Sequence, residues 1–511
     1  MKLLSQLLAN VDVLEISGNT SVEVESINFF SNIKAPNSLF VSAKNIEHDG
    51  FDSISEAIQN GAKVVVYEDD AVRSLLDGLG NDVGNQSNAA ITFVKVKNGS
   101  KALGIIANNF FDNPSEAFKL IGVTGTNGKT TIATSLYFVF KSLGHKVALI
   151  STVENKINDE VFKTTHTTPT PVNLASVLAK AKDAGVEYVF IECSSHGIEE
   201  ERIAGLRFAG GIFTNFTQDH LNFHGTMENY ARSKKKFFDN LSAGAFALSN
   251  ADDSKGEYML QNTKAKKYFY GIEHKAHFVA SEIHSSFQGT DFKIGDKAVH
   301  SKLIGKFNVH NLLAIYGASH LLGVSANEII NIIQDIQPPS GRLEIFKSKT
   351  GVFGIVDFAH SPDALEKVIT TLSEIKNTNN RIITVVGCGG GGDKTKRPQM
   401  GEIVTRLSDY AVFTSDNPRK EDPEEIIKQI VVGIPVDNEA GTHETLPDIA
   451  NPSKKYECVT DRKEAIVKAV SLAKAGDIVL VAGKGHENYQ VFADKTIDYS
   501  DQEEVKKALG L

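Results

Sequence analysis

The apolar run Leu120-Ile121-Gly122-Val123 leads into Gly125-Thr126-Asn127-Gly128-Lys129-Thr130-Thr131, and this join restricts the chain more than any other stretch. Ile132, Leu136, Val139, Phe140 and Leu143 then recur at helical spacing, Gly144 closes the segment, and Lys146-Val147-Ala148-Leu149-Ile150 reads as the next strand. A strand, helix, strand unit calls for an α/β fold with a parallel sheet. Its turn is built for an anion: unpaired backbone N–H groups and the positive end of the helix dipole face outward. Gly125 and Gly128 let the backbone approach phosphates without a clashing Cβ. Lys129 is placed for the β and γ phosphates of a nucleoside triphosphate, and the Thr130 hydroxyl for a bridging Mg²⁺. The usual pattern has four residues between its glycines and this one has two, so the reading rests on the flanking strand and helix as much as on the motif.

At 511 residues the chain exceeds one core, and typical domain sizes suggest three units. A first boundary is expected near Asn98-Gly99-Ser100 and a second near Gln337-Pro338-Pro339-Ser340-Gly341, where two prolines end a helix. The expected domains are therefore 1–97, 98–336 and 337–511. Ser53 to Ile58 followed by Ala62 to Tyr67 reads as a helix-to-strand step, and 80–88 as a loop. The N-terminal apolar run is broken by Ser5-Gln6, unlike a signal peptide, and no stretch approaches a membrane span. Cys193, Cys388 and Cys458 lack paired spacing, which suits a reducing cytoplasm and argues against zinc. A net charge of −9 without a basic block argues against nucleic acid as a partner.

In open α/β sheets ligands bind beyond the carboxyl ends of the strands. Val189-Phe190-Ile191 delivers Glu192, a carboxylate able to complete the Mg²⁺ shell begun by Thr130, or else a buried paired acid. Gly211-Ile212-Phe213 leads to Asp219-His220, then to a helix with Tyr230 and Lys234; His220 reads as a ligand or as a structural histidine, and Lys234-Lys235-Lys236 as a solvated face. Four later strands deliver Asp357 and His360, the run from Gly387 to Asp393, Asp416-Asn417-Pro418-Arg419, and Gly483 to Glu487. Asp422-Pro423 already starts the following helix, which frees Asp416 and Arg419 for a ligand.

These residues together resemble the Mur ligases of bacterial cell-wall synthesis. The carriers are GTNGKTT at 125–131, HTTPTP at 166–171, ECSSHGI at 192–198, TNFTQDHLNFHG at 214–225, GKFNVHN at 305–311, DFAHSPDAL at 357–365, GDKTKRPQM at 392–400, DNPR at 416–419 and GKGHE at 483–487. The resemblance implies three domains: an N-terminal α/β domain for the uridine nucleotide, a central P-loop ATPase-like domain with a parallel sheet, and a C-terminal Rossmann-like domain for the incoming amino acid. It implies ATP and Mg²⁺ as cofactors and a cytoplasmic monomer. ATP contacts would come from Gly125, Thr126, Asn127, Gly128, Lys129, Thr130, Thr131, Asn308, Arg342 and Asp357. Ser31, Thr167, Thr168, Ser194 and Arg202 would hold the UDP-linked precursor.

Lys234 matches a lysine that the family carbamylates, which would make it a metal ligand with Thr130, Glu192 and His220; Lys129, Lys234, His220 and Glu192 would be the catalytic group. Arg397, Asp416, Asn417, Pro418, Arg419, Gly483 and Glu487 match the amino-acid pocket. DNPR implies meso-2,6-diaminopimelate as the amino acid and UDP-N-acetylmuramoyl-L-alanyl-D-glutamate as its acceptor, joined through an acyl phosphate, with Arg419 gripping the distal carboxylate. L-lysine or another amino acid is the alternative substrate, and a nucleotide-gated regulatory ATPase the alternative of another class. The uridine loop departs from the family pattern at Phe30 and Asn32, and Glu200 stands where a glutamine is usual.

Overall fold

The computed structural model describes residues 1–43, 53–68, 91–164, 166–434 and 456–511; the loop expected at 80–88 lies outside them. The described residues form three main sheets, each with its own helices. In the N-terminal sheet the order is Val13–Ser17, Thr92–Val96, Ala62–Tyr67, Ser38–Val41, Ser26–Asn28, parallel except for the first pairing. The helix Gly99–Phe110 starts where the Asn98 side chain accepts the Lys101 N–H at 2.8 Å. Its Ala102, Leu103 and Ile106 join Leu4, Leu7, Leu39 and Val64 in the N-terminal core, so this packing unit reaches past residue 98.

The central sheet runs Glu160–Phe162, Asn155–Ile157, Val147–Ile150, Tyr188–Glu192, Lys119–Thr124, Gly210–Phe213, Phe246–Asn250, Lys266–Gly271, Phe278–Ser286, Gly289–Ile294, Lys297–Ser301. Strands from Val147–Ile150 through Phe278–Ser286 are parallel, and both edges are antiparallel. Helices Lys129–Ser142 and Lys306–Leu321 cover one face, Pro171–Asp183 and Met227–Asp239 the other. Cover on both faces explains why the inner strands are apolar throughout rather than alternating.

The C-terminal sheet has the order Glu344–Lys347, Phe353–Asp357, Ile478–Ala482, Ile382–Val386, Tyr410–Phe413, Tyr456–Cys458, antiparallel only at the first pairing. Its helix Pro423–Val431 begins at Asp422, whose side chain accepts the Glu424 N–H at 2.9 Å. One contact ties this sheet to the central one, and another fixes the linker onto it. Phe287, in the turn between two central-sheet strands, stacks on Phe353 with ring centroids 4.5 Å apart. Gly341, after the linker prolines, has φ +68° and lies so close to the 483–487 loop that a Cβ would fall 2.1 Å from the His486 nitrogen.

Candidate active site between the central and C-terminal sheets

The phosphate loop is held from beneath by the next strand end. The Asn215 side chain accepts the Asn127 N–H at 3.0 Å, its backbone carbonyl accepts the Thr126 N–H at 2.8 Å, and the Thr214 hydroxyl donates to the Asn127 carbonyl at 2.6 Å. This support explains both glycines. A Cβ on Gly125 would fall 1.8 Å from Thr214 Oγ1, and one on Gly128 2.5 Å from Asn311 Oδ1, at φ +149° and +86°. The helix Lys129–Ser142 then starts, and its first-turn N–H groups, including those of Thr130 and Thr131, lack intrahelical acceptors. Asn308 holds Asn311 in place by accepting its Nδ2–H at 2.9 Å.

Two lysines converge on the loop. Lys129 Nζ donates to the carbonyls of Gly125 at 2.9 Å and Thr126 at 2.7 Å, and Lys234 Nζ donates to the same Gly125 carbonyl at 2.8 Å. Lys234 is 1% exposed and lies 4.4 Å over the Tyr230 ring. The solvated face read for Lys234-Lys235-Lys236 is therefore wrong for its first two members: the helix turns Lys234 under the loop, and Lys235 is buried against Asp239 and the Tyr258 ring. Burial, with Lys129 adding to it, lowers the Lys234 pKa well below the ordinary lysine value. Burial also lowers Lys129, opposed by the carboxylates of Glu192 and Asp219. Such an arrangement shifts Lys234 toward its neutral, nucleophilic form.

Glu192 is buried at its strand end, where Oε1 accepts the Thr152 N–H at 2.8 Å. His220 occupies the left-handed region at φ +55°, packs edge-on to His196 with centroids 4.8 Å apart, and is pushed down to about 3 by burial, which the Asp219 carboxylate opposes. Asp219 is the meeting point that sequence reading noted without a role. His220 Nε2 lies 3.5 Å from its carboxylate, and two groups of the C-terminal domain also approach it, His360 at 3.7 Å and Lys396 at 3.8 Å. Burial alone would raise this carboxyl; His360, His220 and Lys396 more than offset that, holding it well below the carboxylate range.

Arg342 follows the linker and reaches back to the phosphate loop. Its Nη2 donates to Thr130 Oγ1 at 3.3 Å and its guanidinium stacks 4.4 Å over the Phe358 ring. Asp357 sits beside it, accepting the N–H groups of Leu343 at 2.8 Å and Ala359 at 2.7 Å. A further bridge runs from Asn127 Nδ2 to Asp363 Oδ2 at 3.3 Å. The nucleotide residues expected from both domains thus meet at one seam.

Along the same C-terminal edge, Asp416, Asn417, Pro418, Arg419, Gly483 and Glu487 are brought together. Asn417 Nδ2 donates to Glu487 Oε2 at 2.8 Å. Gly483 at φ +117° leaves room for Asp416 Oδ2, which a Cβ would approach to 2.6 Å. Arg419 takes φ +52° and its Nη1 donates to the Gly390 carbonyl at 2.6 Å. Arg397 lies behind this group: it is fully buried on the helix Lys396–Leu407, its Nη atoms donate to Glu421 at 2.9 Å, Gln429 at 2.7 Å and the Gly389 carbonyl at 3.1 Å, and its Nε has no partner among the described residues. Its pairing with Glu421 braces the glycine run behind the pocket.

The residues expected to hold the precursor form a chain on the other flank of Glu192. Thr168 Oγ1 donates to the Glu192 carbonyl at 2.8 Å and accepts the Ser194 N–H at 2.9 Å, while Thr167 Oγ1 accepts from Thr152 at 3.0 Å. Arg202 Nη1 donates to the Thr168 carbonyl at 2.8 Å, and its Nε pairs with Glu200 at 2.7 Å, giving that departure a partner. Ser31 lies in the N-terminal domain and donates to Glu56 Oε2 at 2.5 Å.

A phosphate loop with a buried lysine beside it, and a polar cluster of Asp416, Asn417, Arg419 and Glu487 in the domain whose Arg342 reaches that loop, fit an ATP-dependent ligase that activates an acid. Two family models match: "Mur ligase middle domain" over residues 123–319 and "Mur ligase, glutamate ligase domain" over 341–485. The chain belongs to the Mur ligase family. Among its relatives are UDP-N-acetylmuramoyl-L-alanyl-D-glutamate–2,6-diaminopimelate ligases of Parabacteroides distasonis, 43% identical over 99% of this chain and 98% of the relative, and Bacteroides thetaiotaomicron, 42% identical over 99% of both. A solved structure of a ligase of that name is 27% identical with a TM-score of 0.66, covering 100% of this chain and 99% of the other. The MurF ligase from Thermotoga maritima in complex with ADP shares the fold at 20% identity and a TM-score of 0.60, covering 95% and 97%.

Proposed function

We propose that this protein joins meso-2,6-diaminopimelate to the D-glutamyl carboxylate of UDP-N-acetylmuramoyl-L-alanyl-D-glutamate, with cleavage of ATP to ADP and phosphate, in peptidoglycan synthesis. The observation that carries this reading is the clustering of Asp416, Asn417, Arg419 and Glu487 in the same domain whose Arg342, Asp363 and Lys396 reach the phosphate loop and Asp219 of the central one. A diaminopimelate molecule ends in a second amino-acid head, and Arg419 is suited to pair its carboxylate in bidentate fashion while Asp416 and Glu487 accept from its ammonium. L-lysine lacks that carboxylate, and a guanidinium left unmatched in a closed pocket discriminates by on the order of 10⁴.

Catalysis then divides among residues of both domains. Lys129 leaves its own loop carbonyls to bind the transferring phosphoryl group, offsetting its charge as a carboxylate oxygen bonds to the γ-phosphorus and ADP departs. The diaminopimelate amine, held by the C-terminal pocket, attacks the activated carbonyl; phosphate leaves and the nitrogen gives up a proton. Arg342 and Asn127 join the two domains over the reacting groups and keep out water, which would otherwise hydrolyse the acyl phosphate.

Thr130, Glu192 and His220 suit a hard cation held through few side chains, and Mg²⁺ bound there would neutralise phosphate charge. Carbamylation of Lys234, favoured by its lowered pKa, would add an anionic oxygen to that set. Thr167, Thr168, Ser194 and Arg202 are the proposed precursor contacts, with Ser31 at the uridine end. Among the described residues no helix is long and apolar enough to cross a membrane, and the substrates place the reaction in the cytoplasm.

The test is to incubate the protein with the UDP-linked dipeptide, ATP and Mg²⁺, with diaminopimelate, with L-lysine, or with neither. Phosphate release that requires diaminopimelate and matches amide product supports the reading. Release independent of any amino acid, without amide, contradicts it and would indicate a regulatory ATPase.

A further inference from the structure

We propose that Lys484 is a specificity-positioning residue: its buried ammonium sets the charge and orientation of the acceptors that receive the distal ammonium of the incoming amino acid. This rests on the diaminopimelate reading above. Lys484 is 0% exposed and sits between Gly483 and Gly485, both at positive φ, in the loop after the strand Ile478–Ala482. Its Nζ donates to Asn417 Oδ1 at 3.0 Å and to Glu487 Oε2 at 2.9 Å, and lies 3.9 Å from Asp416 Oδ1. All three partners are residues of the proposed pocket.

The contacts fix the acceptors one by one. Glu487 Oε2 takes donors from both Lys484 and Asn417, which leaves Oε1 for a ligand. Asn417 Oδ1 takes Lys484 and the Val491 N–H at 3.0 Å, so its amide cannot flip without losing both. The charges also close: Asp416 and Glu487 against Lys484 leave one surplus negative charge, matched to one ligand ammonium, while Arg419 faces one ligand carboxylate. A pocket so balanced selects a zwitterionic head, which diaminopimelate carries at its far end. Without Lys484 the surplus doubles, which favours a side chain that brings a cation alone.

Stability gives little reason for a lysine here. A buried ion pair contributes weakly because desolvation opposes it, and an apolar side chain of the same length would fill the site at no such cost. A cation kept at this position therefore points to recognition.

The experiment compares Lys484→Met and Lys484→Gln with the parent protein, measuring kcat/KM for meso-diaminopimelate and for L-lysine, and KM for ATP. The expected result is a fall of about tenfold or more in the diaminopimelate-to-lysine ratio, the scale of one lost charge interaction, with the ATP KM held within about twofold. An unchanged ratio in both variants overturns the inference, whether activity persists or both substrates decline together as for a merely structural lysine. Failure of the parent protein to use diaminopimelate at all would instead overturn the functional reading on which it rests.

Discussion

Arg342→Ala removes a side chain of the C-terminal domain that touches the phosphate loop of the central one. Two interactions go with it. The charged hydrogen bond to Thr130 Oγ1, at 3.3 Å, is of a kind that contributes about 1.5–3 kcal/mol. Stacking of the guanidinium 4.4 Å over Phe358 adds about 0.5–2 kcal/mol. The sum is about 2–5 kcal/mol, which corresponds to a loss of roughly 30-fold to several thousand-fold if it is realised in the transition state. Arg342 and Asp357 enter the site only with their own domain, whereas the phosphate loop that supplies most of the expected ATP contacts belongs to the central domain. The variant should therefore lose kcat by that factor while ATP affinity, measured by calorimetry on the protein alone, weakens far less. An ATP affinity reduced as much as kcat, or a kcat left intact, would refute the assignment of Arg342 to the closed seam.

Other variants separate support from recognition. Arg397→Ala strands Glu421, whose carboxyl Arg397 holds down to about 2; a loss of about 2–4 kcal/mol in stability, toward the lower side of a broken buried pair because Glu421 is 23% exposed, should appear as a lower denaturation midpoint. Arg419→Ala should leave that midpoint almost unchanged and raise the KM for diaminopimelate far more than that for ATP. Lys234→Ala should abolish turnover, with bicarbonate unable to restore it and short-chain carboxylic acids restoring part; full activity in the variant would remove the carbamate. Burial, with Arg342 and Lys484 nearby, pushes His486 down to about 4 from an ordinary 6.5. Because the unfolded chain takes up that proton first, stability should fall as pH drops from 6.5 toward 4, and His486→Gln should flatten this slope in urea titrations.

The phosphate loop was legible because its determinants are local: glycines, lysine and threonine at fixed offsets, an apolar strand before and a helical period after. Strand ends bearing Glu192, Asp357, Asp416 and Glu487 were legible for the same reason. Lys234 by contrast reads as one of three cations on a polar helix, and only the packing of Met227–Asp239 beneath the loop buries it. Arg397 and Arg419 are both arginines of matching motifs, yet one is buried on a helix against Glu421 and the other reaches the Gly390 carbonyl, a difference set by tertiary packing. Asp219, His360 and Lys396 stand far apart in the chain and meet only where two domains do. The antiparallel edges of the central sheet likewise depend on which strands become neighbours, which local pattern does not encode.

The most direct test of the mechanism follows an oxygen atom. With the accepting carboxylate of the UDP-linked dipeptide enriched in ¹⁸O, turnover with diaminopimelate should place one labelled oxygen in each inorganic phosphate released, in step with amide formed. Phosphate that carries no label while amide accumulates would contradict transfer of the phosphoryl group to the acid.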